Sequence, residues 1–271
     1  MGDQKESMSF RLCTLASGSE GNVSFAEYRN TRVLIDAGLS YRALCEFLSE
    51  IGVAPESIDA VLLTHEHRDH TAGLPMLLKK LSLPVYTTPG TFEGLSEQKL
   101  FERIPKAAFH LIADRASLVI GDLTIRTIPI QHDARDPVAF RLDGETVHFA
   151  VMTDLGNFNE DQTESLKGLD ALILEANHNR NMLETGPYPY PLKLRIDSDQ
   201  GHLSNEAAAS LLRKIWHPGL KAVLLGHLSR TNNYPLLAQE TVRQMMEETD
   251  QVGSMKIYVA PPRGLSDIIT F

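Results

Sequence analysis

The chain has 271 residues, 42% of them hydrophobic, enough to bury a full core as one large domain or two small ones; one integrated domain, residues 1–271, is the expectation. A formal charge of −9 excludes a broadly basic surface of the kind that grips nucleic acid nonspecifically, but not a local basic groove. No apolar run approaches membrane-spanning length, and Met1–Ser7 reads as a flexible start without the basic-then-apolar order of a secretion signal, so a cytoplasmic protein with no membrane partner is expected. Cys13 and Cys45 both lie within apolar patterns and read as buried free thiols rather than a disulfide or metal ligands.

Apolar periodicity and turn punctuation give strands in the first half around Phe10–Leu15, Val23–Tyr28, Arg32–Asp36, Ala60–Leu63 and Val85–Thr87, with helices near Tyr41–Ile51 and Leu74–Leu81. The second half repeats the order. Strands fit Leu118–Ile120, Thr124–Ile130, Val138–Leu142, Thr146–Thr153, Ala171–Glu175, Ala222–Leu225 and Lys256–Val259, and helices fit Asp161–Leu166, Asn205–Ile215 and Leu236–Glu247. Antiparallel strands followed by β-α alternation in each half suit an α/β fold of two packed sheets with helices outside.

Directly after the strand at Ala60–Leu63, the run Thr64-His65-Glu66-His67-Arg68-Asp69-His70 sets four potential metal ligands within six residues. In extended backbone His65 and His67 point the same way and Glu66 points elsewhere, while Asp69 and His70 fall in the following turn, available to a second point nearby. Thr71-Ala72-Gly73-Leu74 then opens a helix whose N-terminal amides would lie close by. This is the outline of a dinuclear metal site; an exposed polar turn with incidental histidines is the alternative, and four ligands at this spacing disfavour it.

The run resembles the H-x-H-x-D-H signature of the metallo-β-lactamase superfamily, whose members hydrolyse lactams, thioesters and phosphodiesters or carry out redox chemistry, so the resemblance implies a fold before it implies a reaction. The implied fold is an αββα four-layer sandwich. Three more candidate ligands stand at strand ends: His132 after Thr127–Ile130, Asp154 after Phe149–Thr153, and His227 in Val223-Leu224-Leu225-Gly226-His227. Taken alone, His132 is as readily a loop histidine and Asp154 a turn former. The superfamily's ligand order implies His65, His67 and His132 on one metal, Asp69, His70 and His227 on the other, and Asp154 bridging. Histidine at 67 and aspartate at 154 exclude the substitutions that mark the di-iron redox members and one large class of true β-lactamases. Mixed imidazole and carboxylate donors suit two divalent ions per chain, Zn²⁺ or Mn²⁺.

Two further segments narrow the chemistry. His202, in Gly201-His202-Leu203-Ser204-Asn205, precedes a helix capped by Ser204 and is not needed as a ligand; Glu175 ends the buried strand Ala171–Glu175 and is placed to orient the His202 imidazole. A surface histidine and a solvated strand-end glutamate are the plain alternatives. This pattern is similar to the ribonuclease Z type of phosphodiesterase. With Leu15-Ala16-Ser17-Gly18-Ser19-Glu20-Gly21-Asn22 and Gly226-His227-Leu228-Ser229 it resembles, more closely, the YycJ/WalJ-type metallohydrolases, which implies a metal-dependent DNA exonuclease, digesting 5′ to 3′ and associated with DNA repair. The interval from Asp154 to His227 is too short for the nucleic-acid-clamping domain of ribonuclease J, and no segment resembles the substrate arm of classical ribonuclease Z.

Phosphodiester hydrolysis by a water or hydroxide bridging the two cations is therefore expected, with Asp69 orienting the nucleophile and His202, steered by Glu175, stabilising the developing charge or protonating the leaving oxygen. For substrate binding the candidates are Ser17 and Ser19 in a small-residue turn that suits either an anion nest or a tight hairpin, and Lys193 and Arg195, which alternate on a strand before His202. Asn205, beside Ser204, is added, and Tyr188 and Tyr190 offer stacking surfaces. The partner implied is a DNA strand with a free end. Hydrolysis of small or cyclic phosphodiesters is the rival reading, and a metal-stabilised binding protein without catalysis is a third.

Overall fold

The computed structural model describes residues 10–18, 20–113, 115–249, 253–261 and 263–271. Met1–Ser7, expected to be flexible, and Ser19 lie outside the described residues. The first sheet is built from β1 (Phe10–Ala16), β2 (Val23–Tyr28), β3 (Thr31–Ile35), β4 (Ala60–Leu62), β5 (Val85–Thr87) and β6 (Phe109–Leu111). The second contains β7 (Ser117–Ile120), β8 (Leu123–Pro129), β9 (Val138–Asp143), β10 (His148–Met152), β11 (Ala171–Glu175), β12 (Ala222–Gly226) and β13 (Lys256–Val259), and β14 (Ile269–Thr270) returns to the edge of the first beside β1. Among the described residues each sheet has seven strands, antiparallel at one side and parallel at the other: β3-β4-β5-β6 run parallel in the first, β10-β11-β12-β13 in the second.

Alternation along the strands sorts the side chains into three apolar layers. Phe10, Leu12, Tyr28, Val33 and Ile35 meet Phe140, Leu142, Phe149, Val151 and Ile173 between the sheets. The opposite faces, Phe25 and Leu34 in one sheet and Leu172 and Leu174 in the other, pack under helices. Those helices are α1 (Tyr41–Glu50), α2 (Arg68–Thr71), α3 (Leu74–Lys80) and α4 (Pro89–Ser96) in the first half, and α5 (Glu160–Ser165), α6 (Arg180–Thr185), α7 (Tyr190–Ile196), α8 (Asn205–Ile215) and α9 (Pro235–Glu247) in the second. The result is the αββα layering. Among the described residues no helix is long and apolar enough to cross a membrane. Cys13 is buried, Cys45 is half-buried, and both are free thiols.

Local signals explain most helix starts. Ser40 accepts from Ala43 N and Ser204 from Ala207 N, capping α1 and α8, and Asn159 with Gln162 forms a capping box on α5. Two expectations fail. Asp69 and His70 do not lie in a turn: α2 starts at Arg68 and carries them on a single helical turn, while the helix expected to open at Thr71–Leu74 begins there separately, as α3 at Leu74. The segment expected to be a strand under Lys193 and Arg195 is helix α7, started by Pro189 and Pro191, where a proline's fixed φ suits the first turn. Residues two apart in a helix lie about 200° apart around its axis, so the two cations do not share a face.

Candidate metal centre

Every candidate ligand stands at the carboxyl end of a parallel or co-directed strand, where loops from both sheets converge, as crevices in α/β sheets generally do. His65 and His67 follow β4, His132 follows β8, Asp154 follows β10 and His227 follows β12, while α2 supplies Asp69 and His70. Glu66 turns away, its carboxylate accepting from Arg135 N at 3.0 Å. A Cβ on Gly38 would lie 1.7 Å from Asp69 O, so only glycine lets that loop pass close enough to seat Asp69.

The structure brings all seven residues together. Ligand atoms of His65, His67 and His132 lie within 4.8 Å of one another, as do those of Asp69, His70 and His227. Asp154 stands between them, with Oδ2 3.2 Å from His70 Nε2, and Oδ1 3.3 Å from His227 Nε2 and 4.0 Å from His132 Nε2. His65 Nε2, His227 Nε2 and Asp154 Oδ2 are buried without a hydrogen-bond partner. Leaving such groups unpaired is costly, so a donor set turned inward with its lone pairs unused fits bound cations. These buried clusters make a site for two metal ions.

Second partners orient the imidazoles, as is usual for metal-binding histidine. His132 Nδ1 donates to the carbonyls of Gln200 and Gly201, at 3.1 and 3.2 Å. His70 Nδ1 meets Asp36 Oδ2 at 2.7 Å, and His65 Nδ1 meets Thr64 Oγ1 at 2.9 Å, whose hydroxyl in turn donates to Asp36. One carboxylate thus steers a ligand in each cluster. His67 is the exception, with Nδ1 facing inward, 3.3 Å from His132 Nε2, and Nε2 3.8 Å from Asp133. Asp36 was not among the candidates from sequence, although it ends a buried strand as Glu175 does. Asn22, also overlooked, sets Nδ2 3.0 Å from Asp69 Oδ2. Asp36, Asp154 and His227 hold left-handed backbone, φ +65°, +61° and +56°, strain of the kind that gathers at functional sites.

Electrostatics separates the clusters. Burial drives His65 well below the usual imidazole range and lowers His132, leaving neutral rings. His70 and His227 feel the same burial, but Asp36 and Asp154 raise the first, and Asp154, Asp69 and Glu175 raise the second to about 10. Asp154 and Asp69 are lowered in turn despite their burial, by the imidazoles that face them.

Glu175 is fully buried and lies as its strand's alternation predicts, on the face shared by Ala171 and Ile173. Its Oε1 meets His202 Nδ1 at 2.8 Å, and also His227 Nδ1 at 2.9 Å, which sequence reasoning did not anticipate. Its Oε2 accepts from the amides of Leu155 and Leu203. Burial pushes the carboxyl up, but His202 and His227 outweigh it and hold the pKa at about 2.

The substrate-binding candidates fare differently. Ser17 is buried, its hydroxyl accepting from His227 N at 2.7 Å, so it shapes the metal centre. The amides of Gly18, Gly21 and Asn22 are used by Asn22 Oδ1, Gly18 O and Asp69 O, which leaves none of these three for an anion nest. Asn205 is buried and paired with Asn233. Lys193 donates to Glu184 O, and Arg195 pairs with Asp133, beside His67 and His132. A cleft of ≈ 350 Å³ opens above the centre between His132, His202, Tyr188, Arg195 and Arg230.

Fold and donor set together define a metal-binding member of one superfamily: the model for the beta-lactamase superfamily domain matches residues 31–227, and the chain belongs to that family. Within it, the chain is 34% identical over 255 residues to exodeoxyribonuclease WalJ of Streptococcus pneumoniae, covering 93% of this chain and 95% of that protein. It is 33% identical over 241 residues to exodeoxyribonuclease YycJ of Bacillus anthracis, covering 89% and 90%. Among solved structures it is similar to the metallo-β-lactamase fold protein YhfI of Bacillus subtilis, with a TM-score of 0.70 at 16% identity over 97% of this chain and 99% of that one.

Proposed function

We propose that this chain is a two-metal phosphodiesterase that degrades DNA from a free 5′ end, the whole chain acting as one catalytic unit without a clamping domain. The observation that carries the reading is His202: a histidine in the cleft wall, outside the ligand clusters assigned to the two cations and anchored by a buried glutamate, over a site for two cations. Two relatives that match nearly the whole chain and carry the name exodeoxyribonuclease point to DNA as the polymer.

His65, His67 and His132 would hold one ion, Asp69, His70 and His227 the other, and Asp154 both. Such a pair lowers the pKa of a water and neutralises a phosphate's charge, and Zn²⁺ or Mn²⁺ suits these donors. The chain's own residues do the rest. Asp69 orients the attacking water. Glu175 accepts from His202 Nδ1, fixing the ring so that Nε2 is presented to the substrate, where it donates to the non-bridging or leaving oxygen. Free cysteines and the relatives' DNA chemistry fit a cytoplasmic enzyme of DNA repair.

The test is digestion of end-labelled single- and double-stranded DNA and RNA, with and without a 5′-phosphate, by metal-loaded protein. Mononucleotides released first from the 5′ end of DNA are expected; uniform internal cutting overturns the exonuclease reading, and cleavage of small or cyclic diesters alone favours the rival. His202→Ala should keep its metal and lose roughly 10²–10⁴-fold in turnover. Normal turnover would remove His202 from the mechanism.

A further inference from the structure

Arg230 walls two clefts at once. One is the opening above the metal centre; the other, of ≈ 360 Å³, has Leu39 and Phe47 in its lining and is rimmed by Glu20, Arg230 and Arg263. Both volumes fall in the range of about 300–1,000 Å³ usual for pockets that take a small molecule. The second cleft is tied directly to the metal ligands. Gly18 in its wall donates to Asn22, which holds Asp69, and the neighbouring Ser17 holds the amide of His227.

Two cations gather at its rim. Arg230 and Arg263, the latter at 2.9 Å, converge on the same Glu20 oxygen, two guanidiniums on one carboxylate, on a chain whose net charge is −9. All three groups reach solvent, with side-chain exposures of 34%, 74% and 55%. A carboxylate oxygen met by one nitrogen of each guanidinium occupies a place a phosphate oxygen can take, with less charge. In the lining of the same cleft, Leu39 and Phe47 offer the apolar contact that an unpaired base seeks.

Resting on the nuclease reading above, we propose that this second cleft holds the neighbouring nucleotide of a single-stranded DNA substrate, its base over Leu39 and Phe47 and its phosphate between Arg230 and Arg263 in place of Glu20. A single nucleotide fills one cleft; only a strand reaches both. The Glu20 carboxylate keeps the arginine pair occupied against free anions, whereas a strand already anchored at the metal centre presents its next phosphate at high effective concentration and displaces it. Because the base enters an apolar cleft, it must be unpaired there.

Arg263→Ala and Glu20→Gln test this in the Mn²⁺-loaded enzyme, since neither residue belongs to the metal centre. A short single-stranded oligonucleotide and bis(p-nitrophenyl) phosphate, which is too small to span both clefts, are the substrates, and anisotropy of the labelled oligonucleotide reads binding. Arg263→Ala should raise KM for the oligonucleotide roughly 5–10-fold, reduce the slope of its salt dependence by about one, and leave the small diester untouched. Glu20→Gln should lower the oligonucleotide KM. Unchanged oligonucleotide binding in Arg263→Ala, or an equal loss on both substrates, overturns the proposal. If the enzyme cleaves neither substrate, the nuclease reading falls, while weakened anisotropy in Arg263→Ala still supports the cleft and unchanged anisotropy still removes it.

Discussion

The two halves of the metal centre are built from opposite solutions to the same problem of burying charge. In the half formed by His65, His67 and His132, burial lowers His65 and His132, and their donor nitrogens need no proton displaced. In the half formed by Asp69, His70 and His227, buried carboxylates crowd the rings; with no cation bound, His70 and His227 hold protons that balance them. A cation entering the first half meets open lone pairs. One entering the second must expel protons to take their place, so binding there should depend on pH the more strongly of the two.

The largest effect should come from the residue the halves share. Asp154→Ala is expected to lose activity by about 10⁴-fold or more and to bind less than its full metal complement, measured by elemental analysis after gel filtration. Single ligand changes then separate the halves: His132→Ala and His227→Ala should each lose one equivalent, from different halves, and loss of both equivalents in either variant would mean the halves do not fill independently.

Smaller effects come from the carboxylates behind the ligands. Asp36 supports His70 directly and His65 through Thr64, so Asp36→Asn should weaken both metals by roughly 10–100-fold. Glu175→Gln should weaken only the metal held by His227 by a similar factor, and also reduce kcat through His202. Equal metal loss in the two variants would erase the distinction.

The pH dependence has a definite sign. His227 is raised to about 10, so its proton is present across neutral pH and must leave on binding; affinity for the second cation should rise with pH up to that value and fall as pH drops, more steeply than for the first, where His65 and His132 have no proton to lose near neutral pH. Calorimetry in buffers of differing ionisation heat would count the protons; equal release at both sites would break the comparison. Smallest of all, Ser204→Ala removes the α8 cap and should cost about 0.5–2 kcal/mol of stability without altering metal stoichiometry.

Much of this molecule was legible in the chain because period-two alternation is a local property. It marked β1 to β5 and β7 to β13, and it placed ligands at strand ends because an apolar run that stops at a polar residue ends where the sheet does. Short or exposed pieces escaped it: β6 and β14 have three and two residues, and α4 carries two glycines, too little pattern to count. Lys193 and Arg195 misled because Leu192-Lys193-Leu194-Arg195-Ile196 alternates like a strand while Pro189 and Pro191 start a helix.

By itself, then, the sequence determined the strand pattern and the His65–His70 cluster, because both are local; the family resemblance those residues carry implied the other three donors and pointed to His202 beside Glu175. Tertiary structure alone decided that Asp36 serves both metal halves, that Glu175 also steers His227, that Ser17 supports a ligand rather than a phosphate, and that Arg230 meets Arg263 over Glu20. Those contacts join residues 28 to 243 positions apart, and no local pattern records which distant side chain a folded chain will bring alongside.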